Sequence, residues 1–207
     1  MGELIEHFED PSISERILSS TRSFEGRLLK VDSVDIELPN GHRTTHEVVR
    51  HPGAVCVVAL DDQGRVLVVR QYRTALERVT VEVPAGKLDH PGEDRAEAAR
   101  RELREETGLT MHAPVYRGIV DFFCDPWPAE RMHLYTCTDF TGTLTDCNEG
   151  TLEWVPKPEV ENLPIWQGDK IFLRLLAEGA PFFHLELTYH GDTLVQAVLE
   201  GETLPCG

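Results

Sequence analysis

Residues 86–109 read GKLDHPGEDRAEAARRELREETGL, and the rest of the chain is organised around them. Asp89, His90, Pro91 and Gly92 form a turn, because Pro and Gly together do not continue a helix. From Glu93 to Thr107 the residues are mainly Ala, Arg, Glu and Leu, all good helix formers. Gly108 stands where a left-handed residue closes a helix. Within this helix Glu102, Glu105 and Glu106 fall at i, i+3 and i+4, which puts three carboxylates on one face. Like charges at that spacing repel. A solvated helix with ordinary pairs such as Glu97–Arg101 is the plain alternative. The crowding is better explained by hard divalent cations between the carboxylates, since Mg²⁺ takes carboxylate oxygens and shares substrate phosphates. Arg101, next to the cluster, orients or neutralises part of it.

The run Arg101-Glu102-Leu103-Arg104-Glu105-Glu106-Thr107-Gly108-Leu109 resembles the core of the Nudix box, with Gly86 and Glu93 supplying its earlier part. Seven residues separate Glu93 from Arg101, as in the box. Six separate Gly86 from Glu93, one more than usual, and the extra residue is assigned to the Asp89–Gly92 turn.

Composition limits the alternatives. At 207 residues the chain is long enough for one substantial domain with a small attachment. A formal charge of −16 argues against general binding to nucleic-acid polymers or anionic membranes, because phosphates are repelled. An acidic enzyme of phosphorylated small molecules then needs metal ions and local arginines. The acidic start MGELIEHFEDPS lacks the apolar core of a signal peptide, and no apolar run reaches membrane-spanning length. Five cysteines (Cys56, Cys124, Cys137, Cys147 and Cys206) show no paired metal spacing and read as reduced thiols of a cytoplasmic protein.

Taken in order, residues 1–20 are a polar lead-in, with a partly helical segment expected around Ile13–Leu18. Residues 23–49 read as β. Leu28, Val31, Val34 and Ile36 lead to Leu38-Pro39-Asn40-Gly41-His42, whose Asn-Gly is a strong hairpin signal. The return strand is Arg43–Val49. Ala54–Leu60 and Arg65–Gln71 are apolar enough to be buried on both faces. Val79–Val83 leads into Pro84-Ala85-Gly86-Lys87.

His51-Pro52-Gly53-Ala54-Val55, Arg70-Gln71-Tyr72-Arg73 and Glu82-Val83-Pro84-Ala85-Gly86-Lys87 resemble bacterial ADP-ribose pyrophosphatases of the Nudix superfamily. That resemblance implies a dimerising N-terminal β arm over residues 1–50 and a hydrolase domain over 51–207. It also implies a metal-ligating carbonyl at Ala85, a substrate contact at Gly86, a phosphate contact at Arg73 and a place near the nucleotide for Arg50. Two guanidiniums facing a diphosphate are chemically sensible, although each arginine is otherwise an ordinary surface or ion-paired residue.

After Leu109 the expected elements are strands at Val115–Val120 and Met132–Cys137, joined by a loop at Asp121–Arg131. A strand at Thr151–Val155, helices near Lys157–Leu163 and Asp169–Glu178, and a terminal hairpin (Phe182–Tyr189, Thr193–Leu199) follow. This half resembles the 8-oxo-dGTP diphosphatase branch of the superfamily. The resemblance rests on Glu149-Gly150-Thr151-Leu152-Glu153-Trp154-Val155, on Leu163-Pro164-Ile165-Trp166-Gln167-Gly168-Asp169, and on the hairpin after Pro181-Phe182-Phe183. It implies a loop carboxylate at Glu149 that joins the metal cluster or handles water, stacking of Trp166 on a purine, and a hydrogen bond from Asp169 to the purine edge. The plainer roles are a core aromatic for Trp166 and a helix N-cap for Asp169. The chain thus reads as a mosaic of two branches, natural or constructed.

The resemblance implies an α/β (α+β) fold: a Nudix α/β/α sandwich with a mixed central sheet and an N-terminal β-hairpin arm. The implied chemistry is phosphoanhydride hydrolysis with Mg²⁺ (Mn²⁺ as the alternative ion) on Ala85, Glu102, Glu105, Glu106 and Glu149. Glu105 or Glu149 serves as base, and Arg101 supports the cluster. Three functions compete. An ADP-ribose hydrolase acting as a homodimer leads, a nucleotide-pool hydrolase of 8-oxo-dGTP or related triphosphates follows, and a catalytically silent ligand sensor is last.

Overall fold

A computed structural model describes residues 12–26, 29–90, 92–125, 127–147 and 150–205. Of the residues singled out above, Leu28, Pro91, Asn148, Glu149 and Cys206 lie outside them. The chain divides into two compact units, Met1–His51 and Pro52–Gly207.

The first unit is an antiparallel sheet of β1 (Arg16–Glu25), β2 (Lys30–Glu37) and β3 (Arg43–Arg50), in that order. The β2–β3 turn forms where Asn-Gly called for it. Gly41 has φ +80°, and the Asn40 side chain accepts from the His42 amide at 2.9 Å. The helix expected around Ile13–Leu18 is absent: from Arg16 onward the chain is strand β1. Ser19, Ser20, Thr21 and Ser23 are poor helix formers, and cross-strand partners reward extension. Ser19 donates to Asp35 at 2.7 Å, and Arg16 pairs with Glu37 at 2.7 Å. Asp32 accepts from both Arg22 and Arg50, and those bonds hold its carboxyl below the usual range.

The second unit is built on β4 (Ala54–Ala59), whose six residues are all buried. Further strands are β5 (Arg65–Arg73), β6 (Arg78–Glu82), β7 (Ala85–Lys87), β8 (Thr110–Met111), β9 (Val115–Asp125), β10 (Trp127–Cys137), β11 (Phe140–Thr141) and β12 (Gly150–Pro156). The last strands are β13 (Phe183–His190), β14 (Thr193–Leu199) and β15 (Glu202–Leu204), and the helices are α1 (Arg95–Thr107), α2 (Lys157–Val160) and α3 (Gln167–Ala177). The central sheet runs β15-β14-β13-β9-β10-β4-β7. It is mixed, because β4 is parallel to β10 and β13 is parallel to β9. A smaller sheet, β12-β5-β6, lies beside it.

Alternation along β4 explains the layers. Val55, Val57 and Ala59 pack with Ala98, Ala99 and Leu103 of α1, while Cys56 and Val58 pack with Phe172 of α3 and Leu185 and Leu187 of β13. One helix therefore covers each face, giving the expected α/β/α sandwich. No helix among the described residues is long and apolar enough to cross a membrane.

Two further departures have local causes. The loop expected at Asp121–Arg131 is instead the far end of a long β9–β10 hairpin, with Phe122 opposite Glu130 and Cys124 opposite Trp127. A register shift between Trp127 and Glu130 accommodates Pro128, which has no N–H for the ladder. Strand β15 is too short to carry a periodic signal and exists through pairing with β14.

Candidate active site

Helix α1 begins at Arg95, after the expected Glu93. Asp94 is its N-cap, accepting from the Glu97 amide at 3.0 Å. Gly108 ends it at φ +80°. Glu93, left outside the helix, becomes a strut. It accepts from the Asp89 amide at 2.6 Å, and from Arg101 at 3.2–3.3 Å.

Arg101 is the hub of the carboxylate face. Its Nη1 donates to Glu102 at 2.5 Å and lies 3.8 Å from Glu105, and its Nη2 donates to the Lys87 carbonyl at 3.1 Å. The guanidinium thus ties the helix to β7. Glu102 is 13 % exposed and Glu105 is 64 % exposed. Glu106, one turn after Glu102, is half-buried.

The backbone of Gly86 lies directly against the Glu102 carboxylate. A β-carbon built there would stand 2.1 Å from its carboxyl carbon, so any side chain at this position would push the Glu102 carboxylate aside. Burial pushes the Glu102 carboxyl up, and the negative charges of Glu105 and Asp89 add to this against the opposing pull of Arg101. Among the described residues no three His, Cys, Asp or Glu side chains are already arranged to hold a metal ion. The donors nonetheless fit a hard cation: they are oxygen atoms only, and the central one is a crowded, desolvated carboxylate whose charge a cation would stabilise.

Beside this face opens a cavity of about 710 Å³, in the range of small-ligand pockets. Ala85, Gly86 and Lys87 line it, together with Arg73, Glu82, Trp166, Asp169, Phe172 and Tyr189. β7 is placed by pairing with β4 (Cys56 opposite Ala85, Val55 opposite Gly86), and α3 delivers Trp166 and Asp169 from its first turn.

Arg73 grips Glu82 with two nitrogens, Nε donating at 3.0 Å and Nη2 making a shorter bond. Thr80 donates to the same carboxylate at 2.7 Å and Gln71 at 3.3 Å. Burial works to raise the Glu82 carboxyl, but these donors hold it below its ordinary range. It stays ionised.

Asp169 is its counterpart. It is 9 % exposed, and its carboxyl makes no side-chain hydrogen bond among the described residues. Burial, and then the charge of Glu82, push it up to about 8, so it carries a proton at neutral pH. The N-cap alternative for Asp169 fails, because Trp166 occupies that position and Asp169 lies inside the first turn.

Trp166 meets Tyr189 edge-to-face, with centroids 5.7 Å apart at 87°. The Tyr189 hydroxyl accepts from the Gly168 amide at 2.8 Å. Arg50 belongs to the N-terminal unit, where its Nε donates to Asp32 at 2.9 Å.

The structure therefore brings Glu102, Glu105 and Arg101 together on α1, and Ala85, Gly86, Arg73, Trp166 and Asp169 around one cavity. Glu82, Phe172 and Tyr189 also line the cavity without having been singled out. Glu82 stood inside the quoted Glu82–Lys87 motif, which was the one available signal. The two aromatics read as ordinary core residues.

Comparison with known proteins agrees with this geometry. Residues 49–176 match the NUDIX domain. The chain is 39 % identical over 131 residues to an ADP-ribose pyrophosphatase of Bacillus subtilis, covering 63 % of this chain and 69 % of that protein. It is 40 % identical over 136 residues to a methanol dehydrogenase activator of Bacillus methanolicus, covering 65 % and 68 %. Among solved structures, a MutT protein from Bacillus halodurans superposes with a TM-score of 0.65 at 26 % identity, over 72 % of this chain and 97 % of its own. A glutamate-bearing helix over a mixed sheet, a glycine that admits the central carboxylate, and a domain match over most of the chain lead to one assignment: the protein belongs to the Nudix family of hydrolases.

Proposed function

We propose that the protein hydrolyses the phosphoanhydride of ADP-ribose, releasing AMP and ribose 5-phosphate. The observation that carries this reading is one cavity lined both by Gly86, against which the Glu102 carboxylate lies, and by Trp166 and Asp169. Its lining combines charged groups suited to a diphosphate (Arg73, Lys87) with aromatics suited to a base (Trp166, Tyr189). Similarity to the Bacillus subtilis ADP-ribose pyrophosphatase supports the choice of substrate.

Mg²⁺, or Mn²⁺ in its place, would be held by Glu102, Glu105, Glu106 and the Ala85 carbonyl. Such a cation neutralises diphosphate charge and makes bound water more acidic. The chain's own groups do the rest. Glu105, exposed on the helix, is the candidate base that takes the proton of the attacking water, with Glu149 the alternative. Arg101 keeps Glu102 in place, and Arg73, itself steadied by Glu82, faces the charge that develops on phosphate oxygens. The water oxygen bonds to phosphorus as the bridging P–O bond breaks, and the leaving phosphate takes up the charge.

A second reading is hydrolysis of 8-oxo-dGTP or a related triphosphate to monophosphate and pyrophosphate. Trp166 and the protonated Asp169 in the same cavity support it, as does the likeness to a MutT protein. The N-terminal arm is proposed to build a homodimer, in a cytoplasmic setting suited to the free thiols of Cys56, Cys124, Cys137 and Cys147.

The test is phosphate release from ADP-ribose, ADP-glucose, diadenosine polyphosphates, dGTP and 8-oxo-dGTP, each with Mg²⁺ and with EDTA. We expect ADP-ribose to be turned over fastest and EDTA to abolish turnover. Faster hydrolysis of 8-oxo-dGTP would replace the first reading with the second. Turnover of no nucleotide would leave only a ligand sensor.

A further inference from the structure

Trp166 is held from a direction that the hydrolytic chemistry does not explain. The guanidinium of Arg78 lies 5.4 Å from the indole centroid, and its Nη1 stands 2.8 Å from Asp192 Oδ2. These residues come from three separate places: Arg78 opens β6, Trp166 caps α3, and Asp192 sits in the β13–β14 turn. Trp166 borders the cavity, whereas Arg78 and Asp192 do not. The cation therefore bears on the indole from outside the space a ligand would fill.

An ion pair this exposed, 47 % for Arg78 and 53 % for Asp192, adds little to fold stability. Its consequence is local. A cation over an indole is attracted by the ring quadrupole, and Tyr189 constrains the ring from a second direction. A tryptophan gripped twice loses little further freedom when a flat ligand stacks on it, whereas an unbraced one must be ordered at binding.

We propose that Arg78 is a positioning residue: anchored by Asp192, it braces Trp166 from outside the cavity so that the indole is preset to stack on the base of a nucleotide. This rests on the reading of Trp166 as the base platform, and the experiment separates the two claims. Binding of AMP and of inorganic pyrophosphate to the full-length protein is measured calorimetrically with Mg²⁺, for the unmutated protein and for Arg78→Ala, Arg78→Lys and Asp192→Asn. Quenching of tryptophan fluorescence by AMP is followed in the unmutated protein and in Trp166→Phe.

The expected result is an AMP Kd raised about three- to tenfold in Arg78→Ala, with the pyrophosphate Kd unmoved. Arg78→Lys should recover part of the loss and Asp192→Asn should shift AMP in the same direction. AMP should quench fluorescence in the unmutated protein and not in Trp166→Phe. If quenching follows this pattern but Arg78→Ala binds AMP normally, the brace is wrong and the platform stands. If AMP never quenches, the platform reading falls and the brace falls with it. If AMP and pyrophosphate weaken equally in Arg78→Ala, Arg78 supports the fold generally and the proposal is overturned.

Discussion

Glu102 is a half-buried carboxyl and Asp169 a buried one, and they call for opposite experiments. Glu102 is crowded by Gly86 and bonded to Arg101, so its value lies in charge at a fixed place. Glu102→Gln keeps the shape and removes the charge. We expect a loss of on the order of a thousandfold in kcat/KM, about 4 kcal/mol of transition-state stabilisation, with no fall in Tm; activity within threefold of the parent would refute the assignment. Asp169 is stabilised in its protonated form, with a native pKa of about 8 against an ordinary 3.8. The raised value means that the native state holds a proton the unfolded chain releases. The stability contributed is therefore complete below about pH 4 and is lost as pH rises towards and through about 8. Asp169→Asn cannot ionise. Its Tm should exceed that of the parent at pH 8 by a few degrees, about 2–4 °C per kcal/mol relieved, and the gap should close towards pH 4. A pH-independent Tm difference would show that Asp169 does not titrate in this window.

At the scale of elements, two glycines separate function from packing. Gly86 in β7 meets only the end of the Glu102 side chain, which can swing away. Gly86→Ala should thus preserve Tm while displacing the carboxylate, at a cost of about a hundredfold in rate. Gly168 in α3 faces packed atoms instead. A β-carbon there would stand 2.4 Å from Leu187 Cδ1 and 2.7 Å from the Tyr189 hydroxyl. Gly168→Ala should destabilise by about 1–3 kcal/mol, read by urea denaturation. Reversal of the two outcomes would mean that β7, not α3, is the packed element.

For the whole molecule, the arm sets the main expectation. β1 is an edge strand exposed along its whole length, with Ile17 66 % exposed and Phe24 55 % exposed. Long apolar edges invite pairing with another chain. Light scattering at micromolar concentration should give twice the chain mass, and Ile17→Lys should shift it towards the monomer. A monomeric parent would remove the arm as an argument for assembly.

Much of this protein follows from local chemistry. Helix α1, its Gly108 end and the spacing of Glu102, Glu105 and Glu106 depend on backbone freedom and the helical repeat, all confined to neighbouring residues, although its start falls at the Asp94 cap, after the expected Glu93. The double burial of β4 was legible in its unbroken apolar run for the same reason. The extent of β1, β9 and β10 was not, since a strand exists only with its partners, and those lie elsewhere in the chain. Nor could the sequence show that Gly86 and Asp169 border one cavity, that Arg73 is locked to Glu82, or that Asp169 keeps its proton. Residue type and spacing set which chemistry is on offer. Burial and charge proximity set ionisation and access, and both arise only when β7, β6 and α3 are brought together by tertiary packing.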